Sequence, residues 1–115
     1  MAYNQQIADR VERLLYDLEI AFEPKKMFGG IAFMINNKMC VAVVKDELML
    51  RVMDEQYEES VNRPFARPMD FTGKRMYGFL YIETAGFEKD QDLKTWVERG
   101  VDFGIRGIVK TKKKK

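Results

Sequence analysis

The hydrophobic pattern divides the chain into three helical and several extended stretches. Ile7, Val11, Leu14, Leu15 and Leu18 recur at the i, i+3/i+4, i+7 spacing of one helix face, which predicts an amphipathic helix over residues 4–20. Asn4 is placed to cap it, and Asp9 with Arg13 forms an i,i+4 pair on the wet side. Pro24 then marks a loop. Residues 26–35 are apolar on both faces and read as one buried strand. Asn36-Asn37-Lys38 reads as a tight turn, because Asn tolerates left-handed backbone. Met39 to Val44 is a second buried strand and Lys45-Asp46-Glu47 a second turn. The third strand, Leu48 to Met53, sets Leu48, Leu50 and Val52 on one face and Met49, Arg51 and Met53 on the other.

A short helix over residues 55–62 follows, capped by Asp54, with Tyr57, Val61 and Ser60 turned inward and Pro64 ending it. RPFARPMDFTGKR, residues 63–75, opens a hairpin; residues 76–83 are a strand in which Tyr77, Phe79 and Tyr81 alternate with Met76, Gly78, Leu80 and Ile82. Asp90 or Asp92 caps a last helix to about residue 107, with Leu93, Trp96, Val97, Val101 and Ile108 on one stripe. Gly100 and Gly104 interrupt that stripe at about 1 kcal/mol each against Ala, which suggests close approach of the helix to the sheet. The predicted order is α-β-β-β-α-β-β-α: an α+β fold with a mostly antiparallel sheet and packed helices.

Composition and charge narrow the function. One domain is expected over residues 1–109, and a disordered lysine-rich tail over 110–115. That tail, KTKKKK, holds five of the 20 basic residues and no acid. Residues 1–109 therefore carry 15 basic against 18 acidic residues, a net of −3, whereas dedicated nucleic-acid domains usually have a basic body. No apolar run is long enough to cross a membrane, and the N-terminus lacks the layout of a signal peptide. A single cysteine, Cys40, cannot form an internal disulfide and reads as a small buried hydrophobe, so a cytoplasmic protein is expected.

The chain has no histidine, which removes Ser-His-Asp and Cys-His catalysis and every His-containing metal site. The pair Gly29-Gly30 follows two lysines and precedes a strand, so it does not match the G-x-x-x-x-G-K-[ST] phosphate loop. It reads instead as room for a packed neighbour or a bulge, with Gly100 and Gly104 as one such neighbour. The acids scatter through turns and helix surfaces. No catalytic residue, metal or cofactor is expected.

Three features remain as candidate binding surfaces. Arg63, Arg67, Lys74 and Arg75, interleaved with Phe65 and Phe71, suit nucleic acid or an acidic protein; the plainer reading is a hairpin whose arginines cap carbonyls and pair with Asp70. Tyr77, Phe79 and Tyr81 form an aromatic stripe that could stack bases but reads better as a sheet face or core. Lys110, Lys112 and Lys113 of the tail can attract phosphates in a salt-dependent way. The eight methionines suit an adaptable partner surface, or gap-filling in the core.

KKMFGGIAFMINNKMC, ELMLRV, RPMDFTGKRMYGFLYI and DLKTWVERG, in that order, resemble the TfoX N-terminal domain family from about residue 3 to 105. The resemblance implies helices packed on an antiparallel sheet and no established catalytic site. Longer members carry a second, C-terminal domain and regulate competence for DNA uptake; this chain is expected to be a single-domain member. Gly29, Gly30, Arg67, Pro68, Asp70 and Gly73 match the family's motif positions and read as architecture. The expected function is a non-enzymatic cytosolic regulatory module that binds a protein partner. The alternative is direct nucleic-acid binding through the tail and the 63–75 loop.

Overall fold

The computed structural model describes residues 3–27, 29–71 and 74–107, without the side chains of 70, 71 and 74–76. These residues form helix α1 (Gln5–Asp17), strands β1 (Glu23–Met27), β2 (Gly30–Ile35), β3 (Lys38–Val44) and β4 (Glu47–Arg51), helix α2 (Asp54–Val61), strands β5 (Ala66–Phe71) and β6 (Lys74–Ile82), and helix α3 (Asp90–Arg106). The strands make one antiparallel sheet in the order β1-β2-β3-β4-β6-β5. The architecture is α+β, as the sequence predicts, with one strand more than expected.

The extra strand comes from the Gly-Gly pair. Residues 26–35 are not one strand, because Gly29 takes φ +73° and turns the chain between β1 and β2. An L side chain rarely adopts that backbone. Gly30, the first residue of β2, lies so close to β3 that an added Cβ would collide with the Val43 carbonyl oxygen. The neighbour that needs room is therefore β3, not α3. Pro24 lies inside β1, where an edge strand tolerates its missing N–H.

Local signals account for most other boundaries. Asn4 caps α1 by accepting from the backbone N–H groups of Gln6 and Ile7 through its side chain. Asp9 accepts from Gln5 Nε2. Asn36 and Asn37, at φ 53° and 64°, make the two-residue turn between β2 and β3. Asp54 is the first residue of α2, with Met53 at the cap, so it favours the helix by its charge in the first turn.

The main core lies between the helices and one face of the sheet. Ile7, Val11 and Leu15 of α1, Tyr57 and Val61 of α2, and Leu93, Trp96, Val97, Val101 and Phe103 of α3 pack against Phe33, Ile35, Val41, Val43, Leu48, Leu50, Leu80 and Ile82. Ser60 is buried with them and receives a hydrogen bond from Arg99. Gly100 and Gly104 let α3 approach as their positions suggest. A Cβ on Gly100 would lie 2.8 Å from Cys40 O, and one on Gly104 2.7 Å from Ile35 Cγ2. Ile108, expected on the same stripe, lies outside the described residues.

Candidate docking face

In a strand, alternate side chains point to opposite faces. Here both faces are apolar, so the sheet has a second hydrophobic side. Ala32, Ala42, Met49 and Met69 are buried there, with Met27, Met34, Met39, Phe79 and Tyr81 partly exposed around them. Among the described residues, no helix contributes to this cluster. Five of the eight methionines lie on it.

Strand register builds this face as rows. One row crosses all six strands: Lys25, Ala32, Ala42, Met49, Tyr81 and Arg67 are successive cross-strand partners. The two alanines at its centre are buried among the methionines of the same cluster. Met49 is only 1% exposed, so the floor is packed by its own neighbours. At one end Arg67 lies 4.7 Å over the Tyr81 ring and pairs with Glu47 at 2.8 Å. At the other end Lys25 is exposed and has no ion pair among the described residues.

Two further cross-strand pairs lie beside that row, Met34 with Met39 and Arg51 with Phe79. A bulge at Cys40 separates the pairs Phe33–Val41 and Met34–Met39. The Arg51 guanidinium lies 4.8 Å over the Phe79 ring and 4.4 Å over the Phe103 ring of α3. Desolvation lowers its affinity for the proton, against the favourable charge of the Asp54 carboxylate. The sequence already set Arg51 on the side of Met49; its contact with Phe103 of α3 was not foreseen.

Of the expected site residues, Arg63 and Arg67 have described side chains, and these two lie on opposite sides of the sheet. Arg63 follows α2, pairs with Glu59 at 2.8 Å and lies 5.8 Å from the Trp96 ring, on the helix side of the sheet. Arg67 lies on the opposite side. Lys74 and Arg75 begin β6 opposite Phe71 and Asp70; their side chains, and that of Asp70, lie outside the described residues. Lys110, Lys112 and Lys113 lie outside them too, as does Gly73. The aromatic stripe is broken. Gly78, at φ +91°, interrupts the alternation, and Tyr77 packs on Tyr57 at 4.3 Å while Phe79 and Tyr81 stay on the methionine side.

Cys40 is buried, its thiol donates to Lys38 O at 3.3 Å, and burial pushes its pKa up to about 11. It is therefore a thiol, not a thiolate, at neutral pH. No helix of the described residues is long and apolar enough to cross a membrane.

Fold and face together define a two-layer α+β module: helices cover one side of an antiparallel sheet, and methionines and aromatics line the other. The chain belongs to the TfoX N-terminal domain family, which matches residues 14–104. That family is regulatory and is not a known enzyme family. No match was found among curated proteins or among solved structures.

Proposed function

We propose that this protein is a non-catalytic regulatory module of the TfoX type that binds a protein partner on the methionine-rich side of its sheet. The observation that carries this reading is the apolar cluster of Met27, Met34, Met39, Phe79 and Tyr81, partly exposed and without a covering helix among the described residues. Unbranched, polarizable methionines adapt to irregular partner surfaces. The sheet edges favour docking on the face over strand addition. Edge strand β1 carries Pro24, Lys25 and Lys26, and edge strand β5 carries Arg67 and Pro68, residues that blunt backbone pairing. The partner therefore presents an apolar side-chain surface, such as one face of an amphipathic helix.

Photo-methionine incorporated into the full chain tests this. The expected result is cross-linking to a protein partner through Met34 or Met39, abolished by Met34→Lys in a protein that still folds. Equal cross-linking by the Met34→Lys variant would overturn the reading. Saturable binding of duplex DNA at moderate salt that is lost in Arg67→Ala would favour the nucleic-acid alternative.

A further inference from the structure

At the Arg51 end of β4, where the first turn of α2 meets the last turn of α3, lies a cleft lined by Arg51, Met53, Asp54, Glu55, Tyr77, Phe103, Arg106 and Gly107, about 430 Å³ in volume. Its two guanidinium groups differ in their partners. Arg106 is held along one edge by carboxylates: its Nε and Nη2 donate to Asp102 at 2.6 and 2.7 Å, and Nη2 donates to Glu55 at 2.8 Å. Arg51 donates no hydrogen bond and forms no ion pair among the described residues. Asp54 influences it only through space.

Two rings hold the Arg51 guanidinium without using its N–H groups. Phe79 and Phe103 engage the flat group through their π faces, at 4.8 and 4.4 Å. Its five N–H donors lie in the plane of the group, in a fork that matches a carboxylate in two parallel hydrogen bonds. Stacking has thus already restricted the side chain, so less rotamer freedom is lost on binding. Half-exposed Tyr77 adds an apolar ring to the same cleft, and Arg51, through its contact with Phe79, borders the methionine cluster. A charge with no hydrogen bond or ion pair among the described residues, flanked by aromatic rings, has the composition of an interface hot spot.

We infer that the Arg51 cleft receives the carboxylate of a Glu or Asp side chain from the protein partner, with the adjoining apolar residues of that partner lying on the methionine face. This rests on the protein-docking reading above and supplies its specificity element. The carboxylate accepts in-plane hydrogen bonds from Arg51, and Met53 and Tyr77 flank it. Neither Lys25 nor Arg67 offers the same arrangement. Lys25 is an exposed point charge, and the Arg67 fork already holds Glu47 at 2.8 Å.

The test is a nuclear magnetic resonance titration of the ¹⁵N-labelled full chain at constant ionic strength, following the Nε–Hε signals of the arginines. The probes are N-acetyl-Leu-Glu-Leu-amide, its Gln counterpart and inorganic phosphate. The expected result is a saturable shift of the Arg51 signal with the Glu peptide, at least about fivefold tighter than with the Gln peptide. Arg51→Lys keeps the charge but loses the fork, and should weaken Glu-peptide binding, followed by backbone amides around the cleft, about fivefold; Arg67→Lys should leave it unchanged. Three results would each overturn the inference: an unmoved Arg51 signal at about 10 mM peptide, equal response to the Glu and Gln peptides, or tighter binding of phosphate than of the Glu peptide. Failure here is separable from failure of the docking reading. If Met34→Lys abolishes the cross-link while Arg51 stays silent, docking stands and only the carboxylate anchor falls.

Discussion

Asp102 and Arg106 are joined twice, Nε to Oδ1 at 2.6 Å and Nη2 to Oδ2 at 2.7 Å, one turn apart on α3. The same guanidinium reaches Glu55 of α2, while Arg99 ties α3 to Glu59 and Ser60 of α2. The two helices are thus laced along their exposed edge by ion pairs as well as by the apolar core beneath.

This lacing predicts an acid response. Hydrogen bonds from Arg106 hold the Asp102 carboxyl below its usual pKa, and hydrogen bonds from Arg99 and Arg63 do the same for Glu59. A depressed folded-state pKa stabilises the fold above the unfolded-state value, and that contribution is lost as pH falls through the folded-state value. Stability should therefore drop below about pH 4, where ordinary carboxylates take up protons. Chemical denaturation between neutral pH and about pH 3 should give a shallower decline for Asp102→Asn than for the natural chain. An identical slope would show that this pair does not link protonation to folding.

Gly100→Ala and Gly104→Ala should both destabilise, although alanine is the better helix former. The added Cβ at residue 100 meets the rigid Cys40 carbonyl, and at residue 104 the Ile35 side chain and Cys40 Sγ. Overpacking of this kind costs about 1–3 kcal/mol, which exceeds the propensity gain of about 1 kcal/mol. A lowered thermal midpoint is expected for each. A raised midpoint at either position would mean that α3 can lift away from β3 at little cost.

Met34 and Met49 separate docking from folding. Met34 is partly exposed and Met49 is 1% exposed on the same side of the sheet. A lysine at 34 can carry its charge to water, so Met34→Lys should change the denaturation midpoint little while removing partner binding. A lysine at 49 would bury its charge in the floor of the row, and Met49→Lys should cost about 3 kcal/mol or more. Similar losses of stability from both substitutions would show that the outer methionines belong to the core.

Cys40 offers a probe of opening. With no exposed surface and a pKa raised to about 11, it should not react with a disulfide reagent at pH 8 in the folded protein and should react promptly in denaturant. Above the unfolded thiol's pKa near 8.5, the unfolded state gains the thiolate and the folded state does not, so stability should also decline toward pH 11.

Much of the architecture was legible because local chemistry agreed with the global fold. Asn4 at a helix start, Asn36-Asn37 between apolar runs, and Gly100 and Gly104 within a helix face each carried an unambiguous steric or hydrogen-bonding reason. The Gly29-Gly30 pair did not, because a glycine inside an apolar run suits either a packed strand or a turn. Pro24 then read as loop, although a proline flanked by lysines also protects a sheet edge. Tyr77 was misplaced for a related reason: Gly78 reverses the alternation through a backbone angle that residue order does not disclose. The methionine-lined face was hardest to see. Lys25, Ala32, Met49 and Arg67 meet only through strand register, and Arg51 gains Phe103 only when α3 packs across the end of the sheet.

The two-residue turns also set an order of assembly. β1 to β4 pair through neighbours in sequence, so each pairing closes only a short loop. β4 and β6 must instead bring Leu48 to Ile82 across the whole of α2 and β5. Loop entropy grows with that separation, and non-local pairing slows folding. The four-strand meander should therefore form early, and capture of β6 should limit the rate. Trp96, whose indole donates to Gly86 O just beyond β6, lies where its fluorescence would report that late event.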